Sequence, residues 1–121
     1  MALPAKHPGL NVYLHNAETQ ELLLADWPVE MDYSTALQFL LRFRAPRSFL
    51  GVSLSADVAL QFFLESSGLY RVELLDMKQR YVTGCSASAA VAAKALEAAF
   101  MRREIVAALA PYMLRWSTQE L

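Results

Sequence analysis

Thiol and imidazole side chains are the groups with which this chain could carry out nucleophilic chemistry, and the sequence holds one cysteine, Cys85, and two histidines, His7 and His15. We expect Cys85 to lie where the last strand of a sheet meets a helix, and a thiol beside a helix N-terminus has a lowered pKa. A cysteine nucleophile also needs a base, but no local signature ties either histidine to Cys85. The favoured interpretation is a small packing residue in a tight Gly84-Cys85-Ser86 turn, and a cysteine-dependent enzyme is the alternative.

No metal or cofactor motif is recognisable in the sequence. The histidines lack the helical spacing and the cysteine partners of a zinc site, and a single cysteine excludes an intramolecular disulfide. Asp26, Glu30 and Asp32 are not accompanied by the turn glycine of a calcium loop. The four glycines are not grouped into a phosphate-binding loop. We therefore expect no metal, no cofactor and no catalytic residue.

Acidic residues are concentrated near the N-terminus, since residues 1–32 contain five carboxylates and one lysine, while the rest of the chain contains more basic than acidic residues. Within this acidic segment, Trp27 and Pro28 form a rigid corner that bears an aromatic ring. Aromatic side chains rimmed by charge are the usual energetic centres of interfaces. The alternative is a solvated turn in which Asp32 caps the following helix. We expect a protein partner to bind Glu18, Glu21, Asp26, Trp27 and Glu30.

The overall charge argues against nucleic acid as a partner. The formal net charge is −1, whereas nucleic-acid binders normally have a strong basic excess. The phenylalanines near Arg42, Arg44 and Arg47 have the spacing of a core rather than that of a stacking platform. No apolar run approaches the roughly 18 residues of a membrane span, and the N-terminus lacks the apolar stretch of a signal peptide. We expect a cytoplasmic protein without a nucleic-acid or membrane partner.

The spacing of the apolar residues predicts the elements that must position these groups. Alternation predicts strands, and an i, i+3, i+4 pattern after Asp32 predicts a helix. A second, Ala-rich helix begins after Ser86 or Ser88, and Pro111 ends or kinks a further helical stretch. The predicted strands are Leu10–His15, Glu21–Trp27, Phe49–Leu54, Val58–Glu65, Leu69–Leu75 and Arg80–Thr83, and the predicted helices are Tyr33–Arg44, Ser88–Met101 and Ile105–Leu109.

The element order ββ-α-ββββ-α predicts an α+β fold, in which a mainly antiparallel sheet has its helices packed on one face. A chain of 121 residues without a linker is expected to form a single domain, residues 1–121, with residues 1–9 as an irregular N-terminal arm. The apolar fraction of 55% is high, and it is explained either by close packing of the Ala-rich helix or by a surface patch that another chain buries. The predicted core residues are Leu37, Leu40, Leu41, Val52, Leu54, Leu60, Phe62, Val72, Leu74, Leu96 and Phe100.

The stretch Leu60–Phe100 combines a strand that ends in a polar turn with glycine, a second strand of the type aromatic-x-Val-Glu, a short third strand and an amphipathic helix. This stretch resembles a pattern that recurs among small bacterial immunity proteins, which neutralise the toxins of contact-dependent and polymorphic secretion systems. The resemblance implies stoichiometric binding of a cognate toxin without turnover. The chain departs from the highly acidic composition of immunity proteins that block nucleases. The alternative is a small homodimeric structural or chaperone-like subunit of a secretion or enzyme complex, with the Ala-rich helix Ala87–Ala99 and the meander at its interface.

Overall fold

The structure, a computed structural model, describes residues 9–121. Apart from Gly9, the expected N-terminal arm lies outside the described residues, and so does His7. None of the helices in residues 9–121 has the length and the apolar character that a bilayer crossing requires.

Eight strands and three α-helices make up the described part of the chain. Two very short strands separate the first strand from the first helix, a four-stranded meander follows, and the last strand comes after the Ala-rich helix and a short helical stretch. A 3-10 helix, Ala110–Tyr112, precedes the last strand. The elements are β1 Leu10–His15, β2 Leu22–Leu23, β3 Val29–Met31, α1 Tyr33–Arg42, β4 Phe49–Ser53, β5 Val58–Leu64, β6 Tyr70–Asp76, β7 Tyr81–Ala87, α2 Ala89–Phe100, α3 Ile105–Ala108 and β8 Ser117–Glu120.

All strands in residues 9–121 belong to one antiparallel sheet with the order β2-β1-β4-β5-β6-β7-β8. β3 also pairs with β1, and it lies on the same side of β1 as β2, because Val12 pairs with both Val29 and Val52 while Leu14 pairs with both Leu23 and Leu50. The predicted α+β fold with a mainly antiparallel sheet is confirmed. The sequence pattern does not predict β3 and β8.

The helices pack against one face of the sheet, called the inner face below. Helix α2 crosses β5, β6 and β7, and α1 lies beside it. The Tyr70 hydroxyl on β6 donates a hydrogen bond of 2.8 Å to the carbonyl of Leu40 in α1. The Tyr33 ring of α1 packs against Phe100 of α2 with 5.9 Å between ring centroids. These contacts join the sheet and both helices around a single core.

Most of the predicted core is buried. Leu37, Leu54 and Leu74 are only partly buried against the core. The prediction for Leu41 is wrong, because its side chain is 53% exposed. The next residue of a helix is rotated by about 100°, and Leu40 occupies the centre of the buried side of α1. The confirmed core residues are Leu40, Val52, Leu60, Phe62, Val72, Leu96 and Phe100.

The predicted second strand, Glu21–Trp27, is wrong over most of its length. Pairing with β1 stops at Leu23, and a turn follows in which the Trp27 N–H donates to the Leu24 carbonyl at 3.0 Å. Pro28 lacks an N–H group, and the chain returns to the sheet only at β3. Of the predicted strand only Leu22–Leu23 is a strand, and a second short edge strand, β3, follows the turn beyond its predicted end.

The predicted last strand of the meander, Arg80–Thr83, is too short. β7 continues to Ala87, so Gly84, Cys85 and Ser86 pair with β6 instead of forming a tight turn. The helix boundaries are closer to the predictions. Asp32 accepts a hydrogen bond of 2.9 Å from the Thr35 N–H, and Ser88, rather than Ser86, caps α2. Both caps satisfy N–H groups that a helix start leaves without a partner.

Candidate functional site

All five predicted contact residues lie along one edge of the sheet. This surface is called the acidic edge and consists of Glu18, Glu21, Asp26, Trp27 and Glu30. Glu18 and Glu21 belong to the connection between β1 and β2, Asp26 and Trp27 to the turn between β2 and β3, and Glu30 to β3 itself. All five side chains are exposed. The edge therefore presents four carboxylates and one indole to solvent.

The turn that carries Glu18 and Glu21 is held by two buried polar residues, Asn16 and Ser48. The Asn16 side-chain oxygen accepts hydrogen bonds from the Glu18 N–H at 3.0 Å and from the Thr19 N–H at 3.2 Å. The Ser48 hydroxyl accepts one from the Ala17 N–H at 2.9 Å. Because buried polar groups that are hydrogen-bonded fix the backbone around them, these carboxylates project from a rigid turn.

Large apolar side chains are exposed next to the carboxylates. Trp27 is 82% exposed at the tip of the turn, and Leu22, Leu24 and Val29 are each exposed by 43% or more. Single exposed apolar residues are common on protein surfaces, and four of them occur here within residues 22–29. The register places Leu22 on the side of the sheet that carries His15 and Val29 on the side that carries Val12, so the two side chains flank the edge on its two faces. The sequence predicts that Trp27 is a contact residue. It does not predict that the three aliphatic residues are exposed, because a continuous half-buried strand is expected there.

The acidic edge is a line rather than a cluster. Glu18 and Glu21 lie near the His15 end of β1, while Glu30 pairs with Asn11, so the two groups are separated along β1 by roughly 13 Å at 3.3 Å per residue. Among the described residues, no hydrogen bond or ion pair joins any two members. No group of three or more histidine, cysteine or carboxylate side chains in residues 9–121 could hold a metal ion. Carboxylates spread in this way create a negative field along an edge.

Cys85 occupies a different part of the molecule from the one expected. It lies inside β7, where it pairs with Val72, and its side chain is 1% exposed. Burial raises the pKa of the Cys85 thiol, and the nearby Arg71 guanidinium opposes that shift. His15 is on the opposite face of the sheet and four strands away. The structure therefore does not bring His15 and Cys85 together as a base and a nucleophile.

The face of the sheet that the helices leave uncovered is called the open face. Tyr13, Gly51, Gln61 and Glu73 follow one another in register across four of its strands. Gly51 has no side chain, and the Tyr13 ring occupies the space that a Cβ atom would need. The Tyr13 hydroxyl accepts a hydrogen bond of 2.7 Å from the Gln61 amide. This close approach explains a glycine in the interior of a strand.

Arg71 covers the second glycine of the open face. A Cβ atom at Gly84 would lie 2.8 Å from an Arg71 guanidinium nitrogen. The guanidinium lies 3.6 Å from the Glu73 carboxylate, so this positive charge has a partner on its own strand. Beside this pair, the rings of Phe49 and Phe63 lie 5.8 Å apart between centroids. The open-face residues Tyr13, Phe49 and Phe63 are only partly exposed, whereas Trp27 at the acidic edge is 82% exposed.

A shallow concavity of about 200 Å³ connects the two surfaces. It is lined by Ala25 from the turn of the acidic edge and by Tyr13, Leu75 and Met77 on or next to the open face. Met77 is 56% exposed. A partner that covers Trp27 could therefore extend a side chain onto the open face.

Comparison with known proteins gives no relative for this chain. No protein-family model matches it, and no curated protein and no solved structure is significantly similar to it.

Proposed function

We propose that this chain is a protein-interaction module without catalytic activity, which binds a protein partner through the acidic edge. In its most concrete form it is an immunity protein in the bacterial cytoplasm that neutralises a cognate toxin. One observation carries the proposal: Trp27 is 82% exposed at the tip of the turn between β2 and β3, in an edge segment that also exposes three aliphatic side chains and four carboxylates.

The energetics favour such a role for the acidic edge. Complete burial of one large apolar side chain contributes about 1.5–3 kcal/mol, and the indole of Trp27 offers the largest area of the four apolar residues. The carboxylates around it favour a basic partner, for which they raise the association rate. The turn with Glu18 and Glu21 is already fixed by Asn16 and Ser48, so less conformational entropy is lost on binding.

The resemblance of residues 60–100 to immunity proteins supports the more specific form of the proposal. Those proteins act by stoichiometric binding, and an exposed acidic edge whose turn with Glu18 and Glu21 is held by Asn16 and Ser48 is suited to that mode of action. A basic surface on the toxin is the expected counterpart of the four carboxylates.

The experiment is co-purification with the product of the neighbouring gene, followed by measurement of binding kinetics. The double variant Asp26→Lys and Glu30→Lys should lower the association rate and weaken its salt dependence. The variant Glu65→Lys with Glu97→Lys changes the net charge equally at sites away from the acidic edge, and it should bind like the parent. Circular dichroism checks that each variant is folded.

Truncation of the indole tests the dissociation step. Trp27→Ala should weaken binding by at least about 2 kcal/mol if the side chain is an anchor. Met113→Ala removes another exposed apolar side chain, 87% exposed in the structure, and it should have no effect. If the charge-reversal variant and Trp27→Ala both bind like the parent, the acidic edge is a solvated surface. The partner would then bind the open face around Gln61, Phe63, Arg71 and Glu73.

Cys85 distinguishes this proposal from an enzyme. The thiol is buried and has a raised pKa, whereas a nucleophilic cysteine requires an accessible thiolate. Cys85→Ser should leave partner binding within a few-fold of the parent. A loss of several orders of magnitude in a folded variant would instead support a cysteine-dependent enzyme.

A small homodimeric subunit of a secretion or enzyme complex is the second candidate function. The Ala-rich helix is a poor choice for its interface, because Ala92, Ala95, Ala98 and Ala99 are buried against the chain's own core. The gene neighbourhood separates the two candidates: a large secreted toxin beside the gene supports immunity, and a secretion or enzyme operon supports the subunit.

A further inference from the structure

Strand β8 leaves one row of backbone hydrogen-bonding groups open. The Leu121 N–H donates to the Arg80 carbonyl at 2.8 Å, and in the same register Ser117 pairs with Gly84 and Gln119 with Val82. In an antiparallel ladder, hydrogen-bonded pairs alternate with pairs whose N–H and C=O groups point away from each other. The backbone groups of Thr118 and Glu120 therefore point away from β7. Within residues 9–121, no strand pairs with β8 on that side.

The two edges of the sheet differ in their capacity to accept another strand. The edge formed by β2 and β3 is two and three residues long, is interrupted by Pro28 and carries four carboxylates. Short edge strands, proline and charge are the devices that prevent edge-to-edge pairing. β8 is four residues long without interruption, and Glu120 is its one charged residue. β8 is thus the edge strand with which a further strand can pair.

We propose that a second copy of this chain pairs with β8, antiparallel and with Thr118 opposite Thr118 of the partner subunit. A two-fold axis requires that one residue stands opposite its own copy, either in a hydrogen-bonded pair, as for Thr118 or Glu120, or in a non-hydrogen-bonded pair, as for Gln119. An axis at Gln119 would pair Thr118 with Glu120 of the partner subunit and would lose the threonine pair at the centre. An axis at Glu120 would place two carboxylates against each other, which is unfavourable.

The register about Thr118 is self-complementary. It places Glu120 opposite Trp116 of the partner subunit, and it separates the two Glu120 residues by roughly 13 Å along the strands. The Thr118 hydroxyl already lies 2.9 Å from the Thr83 hydroxyl. The pairing would extend these two into a row of four threonines across the interface, and cross-strand threonine pairs are favourable.

The dimer would leave both acidic edges free. β8 and the β2–β3 edge are at opposite ends of the strand order, so pairing through β8 joins two sheets and places the acidic edges at the two far ends. This inference is independent of the proposed function, because an inactive acidic edge would not affect β8.

Sedimentation of the full chain and its variants tests the pairing. The parent should sediment with twice the mass of one chain. Thr118→Lys and Thr118→Glu each place like charges opposite each other, and each should sediment as a monomer with unchanged circular dichroism. An equimolar mixture of these two variants should recover the doubled mass, because the lysine then faces the glutamate. Thr118→Val keeps the backbone groups and should remain dimeric.

Cross-linking measures the register directly. Thr118→Cys should form a disulfide between subunits under mild oxidation, because residues opposite each other in a hydrogen-bonded pair have Cα atoms about 5.5 Å apart. In the matched variant Gln119→Cys the two cysteines are offset by two residues and stand roughly 8 Å apart, so its cross-linking should be many-fold slower. A monomeric parent at high concentration, a mixture that stays monomeric, or cross-linking of Gln119→Cys that is as fast as or faster than that of Thr118→Cys would each overturn the proposal.

Discussion

Replacement of Gly51 by alanine tests the construction of the open face. A Cβ atom at this position would lie 2.1 Å from the Tyr13 ring, which is far inside van der Waals contact, so the ring must move. Its hydroxyl would then lose the hydrogen bond from the Gln61 amide. We expect the Gly51→Ala variant to fold with a displaced Tyr13 and a lower free energy of unfolding.

The expected magnitude follows from two opposing effects. Forcing an additional methyl group into a packed site costs about 1–3 kcal/mol, and the lost hydrogen bond is worth about 1 kcal/mol. Alanine in a strand interior is favoured over glycine by about 0.5–1 kcal/mol because it loses less backbone entropy. The net decrease in the free energy of unfolding should be about 1–3.5 kcal/mol.

A double-mutant cycle with Tyr13→Ala isolates the clash. When the ring is absent, Gly51→Ala should stabilise the chain by about 0.5–1 kcal/mol. The sign of its effect therefore reverses, and the coupling energy is about 2–4 kcal/mol. Urea unfolding, followed by circular dichroism and by tryptophan fluorescence, measures the free energies of unfolding of all four proteins. The comparison requires that the dependence of this free energy on urea concentration is the same for each protein. If Gly51→Ala has the same effect with and without the Tyr13 ring, the stated reason for the glycine is incorrect.

Three further predictions concern the inner face. Phe62→Ala, at a fully buried position, should lower the free energy of unfolding by about 3–5 kcal/mol in urea titrations; a loss below 1 kcal/mol would contradict its central position. Tyr70→Phe removes the donor to the Leu40 carbonyl and should cost about 1–3 kcal/mol, while Tyr81→Phe, at an exposed tyrosine, serves as the control. Burial raises the pKa of the Cys85 thiol, so above the ordinary thiol pKa of about 8.5 the unfolded chain loses a proton that the folded chain keeps. The contribution of this group to the free energy of unfolding is therefore present below that pH and is lost as the pH rises above it. A thiol reagent should accordingly label Cys85 slowly in the native chain and rapidly in urea, and equal rates would contradict the burial.

Strong periodic patterns in the sequence predict the parts of the fold that they cover. The alternation in β5 and β6 and the caps Asp32 and Ser88 place the meander and both major helices correctly, because burial on one face and cap hydrogen bonds depend on local sequence. The turn of Ser66, Ser67 and Gly68 between β5 and β6 is likewise local, and Gly68 adopts a positive φ of 86°, which glycine tolerates.

The features that depend on distant partners are not predictable in this way. β8 consists of exposed polar residues without an alternating pattern, and it is a strand only because β7 offers a free edge. Gly84 suggests a turn when the neighbouring strand is unknown, but in the sheet Arg71 covers it. The exposure of Leu22, Leu24 and Val29 likewise follows from a turn that interrupts a strand-like sequence. The location of the acidic edge and its indole follow from the sequence, and the exposure of its aliphatic residues does not.

The strand order has a consequence for the order in which the strands pair during folding. β5, β6 and β7 are neighbours both along the chain and in the sheet, whereas β1 must find β4 across α1 and β8 must find β7 across α2. Pairings between distant segments require the closure of longer loops and form later. Val72→Ala in β6 should therefore slow refolding, whereas Val12→Ala in β1 should mainly accelerate unfolding. Both edges of the sheet, the one that carries Trp27 and the one formed by β8, would then be completed last, so the contact surfaces of the protein exist only once the rest of the chain is native.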